Sequence, residues 1–360
     1  MSKEFHNKEF YEGTLFKLSI LEGYFKEWLP VFTVTKFADY PQINIFDFFA
    51  GPGRDVKGNK GSPLIFIENI NKYKDLILKN EIKINLFLNE LNKNKYNLLL
   101  KNVKTEINNL FKVEILNSDF FKLFNEINKT FDKSINFIFL DQCGVRFVSE
   151  EIFKEIIKLP KTDFLFFISS SYFKRFKDDP NFKKYLGINP DSIKQSDYYK
   201  IHNEIFNYYK SLISINTKYF LSKFSIKKGA NIYGLIFGTN HPLGMEKFLK
   251  ICWEKDKITG EANFDIHREN ISLEQPSLFS EHNKSQKIKI FEDEIKTKIV
   301  AGELKTDVEV LLYALENGFL AQHYKDVTKQ LVKEGKIEKI TFKSNCKKIK
   351  DYTPQAIKVK

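Results

Sequence analysis

Gln42-Ile-Asn-Ile-Phe-Asp-Phe-Phe-Ala-Gly-Pro-Gly-Arg54 carries an apolar, β-forming run into a turn made of Gly51, Pro52 and Gly53, with an acid, Asp47, just ahead of it. Glycines in such a turn reach backbone angles closed to other residues and put no side chain between the main chain and a ligand. Main-chain N–H groups and the N-terminus of a following helix can then approach a bound nucleotide. A plain strand-to-helix turn is the other reading, because Gly and Pro punctuate loops of every kind.

Outward from this stretch, the chain alternates apolar strand-like runs with helical patterns. Strands are predicted at 43–49, 83–89, 113–118, 135–140 and 163–169, and helices at 62–80, 91–103, 119–129 and 149–158. An N-terminal helix is predicted over 14–30, ending at Pro30. Runs such as Ile135-Asn-Phe-Ile-Phe-Leu140 are apolar on both faces, as strands of a covered parallel sheet are. A helix is predicted over 191–213. Beyond it, Tyr219–Ile226 and Ile232–Phe237 flank a short Gly-containing loop and predict an antiparallel hairpin. The fold class is therefore α/β: a Rossmann-like, doubly wound sheet with a terminal antiparallel hairpin.

Open α/β sheets bind ligands outside the carboxyl ends of their strands. At those ends stand Asp47 with Ala50, Gly51 and Gly53, then Glu90, then Asp119, then Asp141. A carboxylate after the second strand can accept both ribose hydroxyls, which suits Glu90; a helix first-turn acid is the alternative. Asp119 is placed to reach an adenine edge. A dinucleotide fingerprint fails, since Val56 stands where the third Gly belongs and Glu90 follows Gly53 by 37 positions, not about 20. No Gly-Lys-Ser/Thr follows the turn, so it is not a phosphate-binding P-loop.

The turn most resembles the first motif of class I S-adenosylmethionine methyltransferases, in the version found in enzymes that methylate DNA and RNA. That resemblance implies S-adenosylmethionine as cofactor, bound by Asp47, Ala50, Gly51, Gly53, Glu90 and Asp119, with Asp141 as the acid that orients an acceptor. Amino-methylating enzymes of this kind carry Asp/Asn-Pro-Pro-aromatic after the fourth strand, where the ring stacks on a flipped base. Here Gln142 and Cys143 replace the prolines and Val145 offers no ring. Cys143 reads either as a nucleophile or as a small buried thiol. Ser169-Ser-Ser-Tyr172 and Arg175 follow the fifth strand and either contact substrate or pack; His241 reads as a cap rather than a catalytic group.

Composition narrows the class further. The 360 residues suffice for two domains, and 42% hydrophobic with 15% aromatic content excludes a largely disordered chain. The net charge of +12 invites a polyanionic partner, although Lys, Asn, Ile and Phe all have A/T-rich codons, which discounts that sign. Cys143, Cys252 and Cys346 form no Cys-x-x-Cys pair, so neither a metal site nor a disulfide framework is expected. With no signal core and no run of transmembrane length, a cytoplasmic protein without membrane contact is expected.

The predicted organisation is a methyltransferase-like Rossmann domain over 1–255, a linker over 256–286, a winged-helix-like domain over 287–345 and a basic tail over 346–360. Helices at 288–300, 306–316 and 320–334 and a β-prone run at 337–342 make up the winged helix. Its third helix would offer Lys325, Lys329 and Lys333 to nucleic acid.

One family collects these segments. The carrying residues are Leu18–Trp28, Asp47–Gly53 followed by Gly61-Ser-Pro63, Leu86–Glu90, Phe139-Leu-Asp-Gln-Cys-Gly144 and Tyr233–His241 ahead of Gly244-Met245. Together with the winged-helix pattern they resemble the three-Cys-motif partner protein (TcmP) family. The resemblance implies a bacterial methyltransferase-like fold that works beside a three-Cys-motif partner protein of radical-S-adenosylmethionine type. Many members look like Asp-Pro-Phe-Gly at the Asp141 region, from which Gln142-Cys143 departs. Two functions follow as expectations: a methyltransferase-like protein acting on nucleic acid, or a catalytically silent winged-helix adaptor.

Overall fold

The computed structural model describes residues 9–34, 42–127, 134–141, 144–171, 185–188, 197–214, 217–272, 274–275 and 283–360. Residues 1–219 with 225–240 form one compact unit, and 220–224 with 241–360 form a second.

The first unit is organised by a sheet of strand order β3-β2-β1-β4-β5-β7-β6, of which Phe220–Phe224 of β6 are grouped with the second unit. The strands are β1 (Gln42–Asp47), β2 (Lys83–Asn89), β3 (Lys112–Leu116), β4 (Ile135–Leu140), β5 (Thr162–Ile168), β6 (Phe220–Lys228) and β7 (Asn231–Thr239). β1 to β5 are parallel, and β7 runs antiparallel to β5. This is the expected doubly wound sheet with a reversed terminal strand, the arrangement of class I methyltransferases. The predicted strand 43–49 ends earlier, at Asp47, because Phe48 and Phe49 already belong to the turn.

The helices of this unit are α1 (Glu12–Thr33), α2 (Ser62–Lys72), α3 (Lys74–Lys79), α4 (Lys93–Lys104), α5 (Phe120–Ile127), α6 (Glu150–Lys158) and α7 (Ile201–Ser211). The single helix predicted over 62–80 divides at Tyr73, which has non-helical backbone angles. Pro30 does not stop α1: its carbonyl accepts the Val34 N–H at 3.1 Å, so one further turn forms. α1 buries Tyr24, Phe25 and Trp28 on the sheet, with the Phe25 and Trp28 rings 5.8 and 5.4 Å from that of Phe137. Tyr24 donates to Asp163 at 2.6 Å inside this core. Burial pushes the Asp163 carboxyl up to about 6.

The second unit contains α8 (Pro242–Lys255), α9 (Gln286–Val300), α10 (Asp307–Glu316) and α11 (Lys325–Lys333). α10 starts with a reciprocal capping box between Thr306 and Glu309. The helix predicted over 320–334 is broken at Tyr324, between a short 3-10 turn at Ala321–His323 and α11. The β-prone run 337–342 forms no strand; Ile337 makes one isolated antiparallel bridge to Val359. Buried Asp307 anchors the segments that follow the run. Its carboxylate accepts from the Lys343 N–H at 3.1 Å, the Gln355 N–H at 2.8 Å and the Tyr352 hydroxyl at 2.6 Å, tying 343 and 352–355 to the start of α10.

Candidate functional site

At the carboxyl edge of the sheet, β1 ends on Asp47, level with Leu88 of β2 and Phe139 of β4. Parallel pairing thus sets Asp47 between the strand ends that carry Glu90 and Asp141. Asp47 is 1% exposed. Its Oδ1 accepts the Phe49 N–H at 3.3 Å, while Oδ2 has no hydrogen-bond partner among the described residues. Burial pushes this carboxyl up to about 7; the Ser62 hydroxyl opposes the shift, and the Asp141 and Glu90 charges add to it.

The turn behind Asp47 needs its glycines. Gly51 and Gly53 have φ of +64° and +82°, angles that L side chains rarely adopt. A Cβ on Gly51 would meet nothing within 4 Å, so the main chain there is open to a ligand. Gly53 packs against Leu99 of α4 instead. The Ala50 N–H donates to the Asn89 carbonyl at 2.9 Å, which ties the turn to the end of β2.

Glu90 is drawn into the same loop. Its Oε2 accepts the Gly51 N–H at 3.1 Å and its Oε1 the Asn92 N–H at 2.7 Å. Each carboxylate oxygen has a second lone-pair site, so both can still receive a hydroxyl. Asp119 is exposed and caps α5: its Oδ1 accepts from Phe121 N–H at 2.9 Å and Lys122 N–H at 3.3 Å. The predicted site residues Asp47, Ala50, Gly51, Gly53 and Glu90 thus gather at one edge, with Asp119 on the neighbouring loop.

Asp141 has a partner that the sequence reading missed. The Lys17 ammonium of α1 forms an ion pair with Asp141 and lies 4.6 Å over the Phe167 ring. The Lys17 side chain is only 6% exposed against 27% for Asp141, so the pair opens to solvent on the carboxylate side. Lys17 has the spacing of the buried stripe Leu21, Tyr24 and Trp28, and that spacing was the available signal.

The sequence reading also found no ring near Asp141. The next ring in the chain is Phe147, in the 3-10 turn Val145–Val148; it is buried, 4.9 Å from Phe49 and 5.6 Å from Phe121. The exposed Arg146 guanidinium sits 4.5 Å over Phe147. Gln142, Cys143, Tyr172 and Arg175 lie outside the described residues.

Two further readings can be followed. Ser170 and Ser171 are buried, as in the packing alternative: Ser170 pairs with His202 Nδ1 at 2.9 Å, and Ser171 accepts the Ile232 N–H at 2.6 Å. A Cβ on Gly234 would lie 2.0 Å from the His202 ring, which accounts for the glycine after Tyr233. His241 caps α8 through Nδ1, which accepts the Leu243 N–H at 3.1 Å. Cys252 and Cys346 are buried free thiols whose pKa burial raises.

In the second unit, Lys325 and Lys329 line a groove of about 720 Å³, whose lining does not include Lys333. Lys329 lies 3.3 Å from Asp326. No helix among the described residues is long and apolar enough to cross a membrane.

Comparison with known proteins gives one family model and several solved structures. A family model for the GMT-like wHTH domain matches residues 266–344, so a winged-helix domain is present. Among solved structures, an O-methyltransferase from Bacillus cereus in complex with SAH is similar at TM-score 0.33 and 11% identity, covering 64% of this chain and 91% of that one. TYW2 from M. jannaschii in complex with AdoMet gives 0.28 and 11%, covering 64% and 76%. The O-methyltransferase TomG from Streptomyces achromogenes, in complex with SAM, gives 0.32 and 9%, covering 64% and 90%. No curated relative matches the chain.

Proposed function

We propose that the first unit is an S-adenosylmethionine-dependent methyltransferase whose donor site is the carboxyl edge around Asp47. The observation that carries this reading is the buried Asp47 carboxylate with an unpartnered oxygen, set beside an open glycine turn and the Glu90 carboxylate. A buried polar atom without a partner is costly, and it suits a cationic ligand group that neutralises it. The donor set fits the cofactor. Asp47 would take the amino group, the Gly51–Gly53 turn would lie along the methionine portion, Glu90 would hold the ribose hydroxyls and Asp119 the adenine edge.

When bound, S-adenosylmethionine supplies a methyl group on a sulfonium centre. The chain's own task is then alignment. Asp141, fixed by Lys17, would accept a hydrogen bond from the acceptor and hold its nucleophilic atom in line, which can lower the barrier without a strong base. The half-buried rings of Phe49 and Phe121 with the exposed Arg146, 5.9 Å over Phe121, favour a planar, anionic acceptor, and a nucleobase within nucleic acid meets both requirements. Membership of the three-Cys-motif partner family, and action beside its partner protein in the cytoplasm, belong to the same proposal.

A silent adaptor is the second reading, favoured by Gln142-Cys143 in place of the prolines. Calorimetric titration of S-adenosylmethionine into the wild type and Glu90→Ala separates the two. Saturable heat in the wild type, weakened in the variant, supports the donor site; no heat with folded wild-type protein sinks it. Binding without label transfer to DNA, RNA or protein leaves the adaptor.

A further inference from the structure

The groove in the second unit has a feature that the winged-helix resemblance does not call for. Every residue from Lys339 to Ser344 lines it, opposite Lys325, Thr328, Lys329 and Val332 of α11. A strand that turned one side-chain face to a groove would contribute alternate residues. This run forms no strand, and its backbone edge is paired to no other strand among the described residues.

That edge is unused. The Glu338 N–H bonds to Lys358 O at 2.9 Å and the Lys343 N–H to Asp307, but the four N–H groups between them donate to nothing among the described residues. The run has neither helix nor turn, and its composition, Lys-Ile-Thr-Phe, is β-forming. Unpaired strand edges of this kind are templates for another extended chain.

The groove also selects by charge. Lys250, Lys325, Lys329, Lys339 and Lys343 line it against one carboxylate, Glu246, which is already engaged by the Cys346 N–H at 2.7 Å. Lys325 and Lys339 form no ion pair among the described residues. Half-buried Val332, Ile340 and Phe342 make its walls apolar. Duplex nucleic acid would satisfy the lysines but leave the apolar walls and the four amides without partners.

We propose that this groove is a docking site for an extended, acidic peptide segment of a partner protein, added as a strand to residues 339–342 beside α11. Backbone pairing would supply affinity, and alternation of acidic and apolar side chains would supply selectivity. The lysines expected to read nucleic acid, Lys325 and Lys329, are then peptide contacts. Docking does not depend on methyl transfer, so loss of the donor-site reading leaves it standing.

The test pans a displayed random-peptide library against the full chain, then measures one selected peptide by fluorescence anisotropy and amide hydrogen exchange. The expected peptides alternate acidic with apolar residues. Their affinity falls at least tenfold with Lys325→Glu or Lys339→Glu, and exchange at 339–342 slows at least tenfold on binding. N-methylating alternate peptide amides abolishes binding. Should Lys339→Glu fail to fold, the N-methylated peptide on the wild type still decides the matter. No enrichment, selection of basic peptides, or binding that leaves exchange at 339–342 unchanged overturns the proposal. So does a short DNA duplex that binds through Lys325 and Lys329 while no peptide binds.

Discussion

The two ends of the same parallel sheet are built from opposite chemistry. Across its amino-terminal half runs a neutral, mutually saturated ladder. Asn85 donates to Asn44 at 2.9 Å, Asn44 to Ser134 at 2.9 Å, Ser134 to Asn136 at 2.8 Å, and Asn136 to Thr162 at 3.2 Å. The carboxyl end gathers Asp47, Glu90 and Asp141, offset by Lys17, and leaves one buried carboxylate oxygen without a partner among the described residues. Buried amides that answer one another rigidify a core at little net cost. A buried acid with a free oxygen is a liability in the absence of a ligand. The polar groups of one end bond to one another across the strands, and those of the other are the ones the proposed donor site would use.

If that division is right, the largest effect on folding belongs to the amino end. Asn136 is fully buried and bonds to Asn44, Ser134 and Thr162. Asn136→Ala leaves several buried groups unpaired at roughly 1–3 kcal/mol each, so a total loss of about 3–6 kcal/mol is expected by urea denaturation. S-adenosylmethionine affinity of the folded fraction should not change. A loss below about 1 kcal/mol would break the contrast between the two ends.

Asp47 should behave in the opposite sense. Its folded-state pKa, about 7, is above the ordinary carboxylate value, so the folded state holds a proton that the unfolded chain releases near pH 4. The stability due to that proton is complete below the unfolded pKa and is lost as pH rises through about 7. Wild type should lose on the order of 2–4 kcal/mol more than Asp47→Asn between pH 4 and pH 8, read from denaturation midpoints. Asp163, raised to about 6, contributes in both proteins and cancels in the difference. An ammonium ligand needs the ionised acid, so S-adenosylmethionine should bind wild type more tightly at pH 7.5 than at pH 6. Asp47→Asn should bind it about 10–100-fold more weakly with little pH dependence.

How much of this contrast the sequence carried depends on range. The acids at the strand ends were legible because each directly follows an apolar run, and the parallel register that joins them follows from strand–helix alternation. Lys17 was not, because a lysine in an amphipathic helix is ordinarily on the solvent face; only its spacing to Leu21 and Tyr24 marked it as inward. The 3-10 turn that carries Arg146 was not legible either, because Val145–Val148 has no helical or strand period. The open edge at 339–342 could not be read at all, since it depends on the long-range bridge from Ile337 to Val359 and on buried Asp307.

Glu90→Ala sharpens the comparison at the scale of one contact. Glu90 is tied to the turn by the Gly51 N–H, so removal loosens the loop and deletes two acceptors for ribose hydroxyls. About tenfold weaker S-adenosylmethionine binding is expected, with stability changed by less than about 1 kcal/mol. A variant that lost stability but kept its affinity would move Glu90 to the structural side of the contrast.

Asp119 carries the smallest and most divided effect. Its Oδ1 is spent on capping α5, through Phe121 and Lys122, and only Oδ2 remains for a ligand. Asp119→Ala should cost about 1 kcal/mol as a lost N-cap whatever binds there. Asp119→Asn keeps the capping oxygen and turns the free one into an N–H donor, so stability should stay near wild type. An adenine amine that donates to Oδ2 would then meet a donor, and S-adenosylmethionine should bind a few-fold more weakly to the Asn variant by calorimetry. Equal affinity in wild type and Asp119→Asn would confine this acid to the helix, leaving Asp47 and Glu90 as the ligand-facing acids of the edge.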